Sequence, residues 1–115
     1  MERRRHRRFK VDGRAIAYYR TNSPKVAEII DISPGGVALS HVGGAEAPDS
    51  RFELEIVFPD RTDYVDRIPC VAVSDCRIDS ESRTRRCGAS FGKLTGQQQA
   101  KIQTFIDTFC WRADC

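Results

Sequence analysis

Two short stretches carry the residue types that do chemistry at close spacing. The first is "MERRRHRRFK", in which Arg3, Arg4, Arg5, Arg7, Arg8 and Lys10 face only Glu2. A guanidinium serves twice over: its fork meets a phosphate or the O6/N7 edge of guanine bidentately, and its flat face stacks on a purine. Arg4 and Arg8 are four residues apart, about 13 Å if extended and about 6 Å if coiled, so a wrapped arm brings both to one ligand. The second stretch is "DISPGG", residues 31–36. In an extended strand Asp31 and Ser33 share a face roughly 7 Å apart, an acceptor-only carboxylate beside a hydroxyl that donates or accepts. Such a pair can read the adjacent N1–H and N2–H donors of guanine, and Gly36 would let a flat base or a phosphate approach the backbone. The same hexapeptide is also what a tight turn uses, and alone it leaves both readings open. Together, arm and turn describe a ligand that carries guanine rings and phosphates.

Composition bounds what must position these residues. At 115 residues, with 40% hydrophobic side chains, the chain suffices for one domain with one core. The net charge of +3 conceals an asymmetry, because the first ten residues hold all the positive excess and the body beyond them is slightly acidic. Proteins that grip nucleic acid over a broad face spread Lys and Arg across the folded body. A concentrated arm on an acidic body argues for a small anionic ligand and against a long nucleic acid. No apolar run approaches the length of a membrane span and no signal-peptide core follows the basic start, so the expected location is the cytoplasm. The five cysteines, Cys70, Cys76, Cys87, Cys110 and Cys115, include no C-x-x-C pair and fit neither a disulfide framework nor a zinc site. They read as small core residues, with Cys115 the exposed thiol. His6 and His41 sit in no nucleophile or metal motif, and Ser33 lacks a nucleophile elbow, so neither catalysis nor a metal or other cofactor is expected.

The body reads as strands. In "RFELEIVF" Phe52, Leu54, Ile56 and Phe58 alternate with Arg51, Glu53, Glu55 and Val57, the period of two of a half-buried strand. Residues 9–20, 25–33, 36–42, 68–79 and 84–93 are similar, separated by "NSP", "SPGG", "GGAEAPD" and "PDRTDYVD" turn signals. Six strands with short connections predict an antiparallel sheet closed into a barrel over about residues 9–93. At the end the period changes. Thr95 with Gln98 forms a capping-box pattern, and Ile102, Phe105, Ile106 and Phe109 recur at helical spacing, predicting a helix over 96–111. Its apolar stripe either covers a barrel end or pairs with a second subunit. Tyr18 and Tyr19 are candidates for stacking near the site or for the core.

"RRRHRRF" followed by "DISPGG" resembles the PilZ domain, whose signatures are R-x-x-x-R ahead of the first strand and [DN]-x-S-x-x-G at a strand–turn–strand. "CGASF" (Gly88, Phe91) is similar to a small-Gly-x-x-Phe pattern of a late strand in that family, and the resemblance spans essentially the whole chain. It implies an all-β fold, a six-stranded antiparallel PilZ-type β-barrel with a C-terminal α-helix, here residues 9–115 behind a flexible arginine-rich arm at 1–8. It also implies the ligand, the bacterial second messenger cyclic di-GMP. By resemblance Arg4 and Arg8 take the R-x-x-x-R positions, stacking on guanine and bonding phosphate; the register Arg3 with Arg7 leaves an extra residue before Phe9. Asp31 and Ser33 would contact a guanine edge, Gly36 would permit the close fit, and Arg3 and Arg5 would add phosphate contacts. In the family an arginine just before the motif accompanies an intercalated ligand dimer, a role that falls to Arg3. The implied function is that of a second-messenger receptor that orders its arm on binding and relays the signal to a protein partner in motility, polysaccharide export or biofilm control. The alternatives are a nucleic-acid-binding protein using the basic arm, or a PilZ protein-interaction module that binds no ligand.

Overall fold

A computed structural model describes residues 9–11, 15–20, 25–42, 51–73, 77–79 and 84–112. Among them are nine strands and one helix: β1 Phe9–Val11, β2 Ile16–Arg20, β3 Lys25–Ser33, β4 Gly36–Val42, β5 Arg51–Val57, β6 Tyr64–Ala72, β7 Arg77–Asp79, β8 Thr84–Phe91, α1 Gly96–Phe109 and β9 Cys110–Arg112. The sheet order β2-β5-β6-β8-β4-β3 closes through a β2–β3 pairing into a six-stranded antiparallel barrel. Three short strands lie off this ring: β7 on β8, and β1 between β3 and β9.

The expected barrel and helix are present, with four differences in detail. The predicted strand 9–20 is two strands, because β1 and β2 pair with different parts of β3, β1 at Asp31 and Ile32 and β2 from Lys25 to Glu28. "DYVD", read as part of a turn, instead begins β6, where Val65 is buried. The predicted strand 68–79 is divided between β6 and β7. The helix ends at Phe109 rather than 111, since Cys110 adopts extended backbone (φ −124°, ψ 160°) and starts β9.

Alternation in β5 buries Phe52, Leu54 and Ile56 against Ile29, Ile32, Leu39 and Ile68 inside the barrel. Tyr19 belongs to this core, 2% exposed and edge-on to Phe52 at 5.2 Å. The helix stripe covers the barrel: Ile102, Phe105 and Ile106 join the same buried cluster, and Phe58 packs edge-on to Phe105 and Phe109. The capping box forms as its spacing predicts, with the Thr95 hydroxyl accepting from Gln98 N–H and the Gln98 side chain accepting from Thr95 N–H. The Gln98 amide also donates to the Asp66 and Arg67 carbonyls, at 2.9 and 3.0 Å. Those carbonyls belong to a bulge in β6, where two residues oppose Glu55 and Arg67 takes φ 55°. One glutamine thus starts the helix and fastens it to the strand beneath.

The strands β4 and β8 approach so closely that a Cβ on Gly36 would sit 2.5 Å from the Ala89 carbonyl oxygen. Neither backbone can yield without breaking the ladder between Gly36 and Ser90. Gly36→Ala is therefore expected to destabilise the ligand-free protein by about 1–3 kcal/mol, the usual cost of overpacking. Urea denaturation checks it; unchanged stability would leave Gly36 with a role toward ligand alone.

Cys70, 2% exposed, and Cys110 are free thiols. Cys87 is also buried but disulfide-bonded, its partner lying outside the described residues, so this cysteine departs from the expectation of plain core thiols. Burial pushes the Cys70 and Cys110 thiols up to about 12. The Tyr19 phenol is likewise pushed to about 12, by burial first and then by the neighbouring Cys70. Each of these acids ionises more readily in the unfolded chain than in the folded one. Their contribution to stability is complete below the ordinary thiol value of 9.0 and is lost as pH rises toward 12. The melting temperature should hold between pH 7 and 8.5 and fall progressively above pH 9; a flat profile to pH 11 would contradict the burial of these groups.

Candidate functional site

The "DISPGG" segment is the end of β3, a two-residue turn and the start of β4, as its composition predicts. Ser33, 9% exposed, staples the turn: its hydroxyl accepts from the N–H groups of Gly35 (3.2 Å) and Gly36 (3.1 Å). Phe91 N–H then bonds the Gly35 carbonyl at 2.9 Å, tying the turn to β8. Ser33 thus holds the turn that the hexapeptide's composition allows, its hydroxyl serving two backbone donors. Gly36 has the packing role described above.

Asp31 owes its position to a bulge. Ile29 pairs with Leu39 and Asp31 with Ala38, so Ile30 is an extra residue in β3. Unbroken alternation from Ile29, 4% exposed and inward, would turn Asp31 inward as well. The extra residue reverses the phase, placing Ile32 (0% exposed) in the core and Asp31, half-buried, on the outer face. Residues directly opposite in an antiparallel pair share a face. Asp31 therefore stands in a row across five strands: Trp111 of β9, Lys10 of β1, Asp31 of β3, Ala38 of β4 and Gly88 of β8. Val73, 62% exposed, closes the row, its N–H bonding the Gly88 carbonyl at 3.1 Å. The adjacent row runs Ser33, Gly36, Ser90, Val71.

The outer surface around Asp31 is thus floored by Gly36, Ala38, Gly88 and Ser90, with taller side chains at its margins. A floor of Gly, Ala and Ser lets a planar ring lie flat against the sheet. Sequence reasoning named Asp31, Ser33 and Gly36, which the fold does bring together, but missed Lys10, Ala38, Ser90 and Trp111. "CGASF" carried the signal for the floor in β8 and was read only as a mark of fold. Arg3, Arg4, Arg5 and Arg8 lie outside the described residues. Tyr18 is 40% exposed and pairs with Val26, which is about 16 Å along β3 from Asp31 at 3.3 Å per residue, so neither tyrosine reaches this surface.

Among the described residues no group of three His, Cys, Asp or Glu side chains is placed to hold a metal ion. No helix among the described residues is long and apolar enough to cross a membrane. A depression of about 660 Å³ opens over β5 and β6, lined by Arg20, Arg51, Glu53, Pro69 and Lys93. Arg20 is already ion-paired to Asp66 at 3.1 Å there. This hollow borders the surface around Asp31 at Val71, the end of the adjacent row.

Comparison with known proteins bears on the fold and the family. No curated protein sequence matches the chain significantly. Solved structures do. The PilZ domain of YcgR from Escherichia coli with c-di-GMP superposes with a TM-score of 0.72 at 19% identity, covering 94% of this chain and 92% of that one. The Bacillus subtilis inhibitor of motility MotI/DgrA gives 0.71 at 21% identity over 93% of this chain and 51% of its own. The K. pneumonia MrkH–c-di-GMP complex gives 0.74 at 17% identity, with 92% and 52% coverage. The chain thus spans about half the length of the last two, and at these identities the likeness establishes the fold. The family model for the PilZ domain matches residues 2–108, from the arginine arm through nearly all of the helix, and this chain belongs to the PilZ domain family.

Proposed function

We propose that this protein is a receptor for cyclic di-GMP, built from the arm arginines Arg3, Arg4, Arg5 and Arg8 together with Asp31, Ser33 and Gly36. The observation that carries the reading is the outward-turned Asp31 on a floor of small residues, one strand from β1. The arginine arm runs directly into β1, since Arg8 precedes Phe9 and Phe9 pairs with Ile32. Family membership and the c-di-GMP complexes of YcgR and MrkH support the choice of ligand. In this scheme Asp31 accepts from the guanine N1–H and N2–H, while arm guanidiniums stack on the base and neutralise the phosphates. Ser33 acts chiefly by holding the turn, because its two backbone partners occupy the oxygen. No bond of the ligand is broken, and the protein works as a sensor rather than an enzyme.

Output follows from charge. Five arginines repel one another until phosphates neutralise them, so binding orders residues 2–8, the arm ahead of β1, against the barrel and presents a new surface to a protein partner in the cytoplasm. MotI, a solved relative named as an inhibitor of motility, supports motility machinery as one such partner.

Calorimetric titration with cyclic di-GMP at two salt concentrations, beside Arg8→Ala, Asp31→Ala and a GTP control, tests the receptor. Saturable binding that both substitutions weaken by ten-fold or more, and that GTP does not reproduce, is expected. The stoichiometry then distinguishes one ligand molecule from an intercalated pair held with the help of Arg3. Absence of binding would overturn the proposal. Steeply salt-dependent binding of nucleic acid that survives Asp31→Ala would replace it with the basic-arm reading. Arm ordering has its own test in amide hydrogen exchange: residues 2–8 should slow with ligand, and equal exchange in both states would rule the relay out.

A further inference from the structure

We infer that Trp111, with Lys10 beside it, forms a second wall of the ligand surface and stacks on a guanine held by Asp31. This rests on the proposed cyclic di-GMP reading and extends it to residues outside both motifs. The register supplies the geometry. Trp111 pairs with Lys10 and Lys10 with Asp31, so all three leave the sheet on one face. Two strand spacings of about 4.8 Å put the Trp111 and Asp31 backbones roughly 10 Å apart. That separation leaves room for one flat ring system over Lys10, between the indole and the carboxylate, while the floor of small residues on the other side of Asp31 is left for the second guanine of the same ligand.

The burial of neighbouring residues supports the same assignment. Phe9, Val11 and Cys110, which flank Lys10 and Trp111 along their strands, pack against the core. Alternation therefore sends Lys10 and Trp111 outward, and Trp111 is 53% exposed, a large apolar surface left in water. Its indole is a platform that accepts any purine face, and stacking of a base on an aromatic side chain is typically worth ten-fold or more in affinity. Lys10 is half-buried, which suits a stem lying along the sheet as the floor under the base with its ammonium at the rim, where a phosphate of the same ligand is within reach. The opposite margin of the floor is aliphatic, at Val71 and Val73, so the aromatic wall is on the arm's side.

The chain contains one tryptophan, which makes the inference directly observable. Titration of cyclic di-GMP into the wild-type protein should change the Trp111 emission with the midpoint found by calorimetry. Trp111→Ala should weaken calorimetric binding by about ten-fold, and Trp111→Phe should restore it to within a few-fold. Lys10→Met should weaken binding and lower its salt dependence. Thermal melts of the four proteins separate loss of stacking from loss of the β1–β9 pairing, and Trp111→Phe keeps an aromatic ring on that pair. Calorimetric binding that is undiminished in Trp111→Ala, with no emission change in the wild type, would overturn this wall and leave the receptor standing. No binding by the wild type in either assay would overturn both.

Discussion

The extra residue at Ile30 is the constraint on which the ligand surface depends. β3 must bury both Ile29 and Ile32, which are 4% and 0% exposed, although two residues separate them and strict alternation would put them on opposite faces. A regular strand would leave Ile32 in water and drive the Asp31 carboxylate inward. Burying one isoleucine is worth about 1.5–3 kcal/mol, and an unpaired interior carboxylate costs several more. A bulge forfeits about one ladder hydrogen bond, a net loss near 1 kcal/mol. The bulge wins on these magnitudes, and its by-product is an acidic side chain facing out between β1 and β4. The position of the chemistry is thus decided by the packing of two isoleucines.

The C-terminal helix holds the other side of that surface. β1 has three residues and would not persist as a strand by itself. It is held because β3 pairs with one edge and β9 with the other. β9 in turn exists because the helix is anchored before it, by Phe105 and Phe109 against Phe58 and by the Gln98 amide on the β6 bulge. The helix then stops at Cys110, whose N–H still bonds the Ile106 carbonyl. The strand that receives the arginine arm is therefore positioned by a capping box fifteen residues upstream of Cys110 and by the aromatic cluster of Phe58, Phe105 and Phe109.

How much of this the sequence disclosed depends on whether a feature is local. The alternation of β5 and the capping box at Thr95 and Gln98 are written in adjacent residues, and both form as read. The paired motifs and the barrel class were equally legible. The bulge was not, because "EIIDIS" contains no glycine or proline to mark an extra residue; its cause is burial on both sides, which only the closed barrel reveals. Trp111 escaped for a related reason. "FCWR" continues the helical stripe, and nothing within it shows that β1 lies waiting for a strand partner. Gly36 was recognised as necessary but for another cause, since the Ala89 carbonyl that excludes its Cβ is more than fifty residues away in the chain.

The small side chains beside Asp31 need an account in terms of stability as well as of ligand. Gly and Ala are poor strand residues, and a sheet face gains little from Gly36, Ala38, Gly88 and Ser90 in place of the β-branched and aromatic residues that strengthen cross-strand pairs. Part of the cost is structural: close approach of β4 and β8 forbids a side chain on Gly36. Ala38 opposite Gly88 has no comparable excuse in the core, because both lie on the outer face of a ladder whose inner face is filled by Val37, Leu39, Cys87 and Ala89. The outer face of β5 shows what an ordinary wet face of this barrel carries, with Arg51 and Glu53 exposed. A flat, low surface between Asp31 and the aliphatic margin at Val73 contributes little to the sheet, and its shape is what a planar, hydrogen-bonding ring requires.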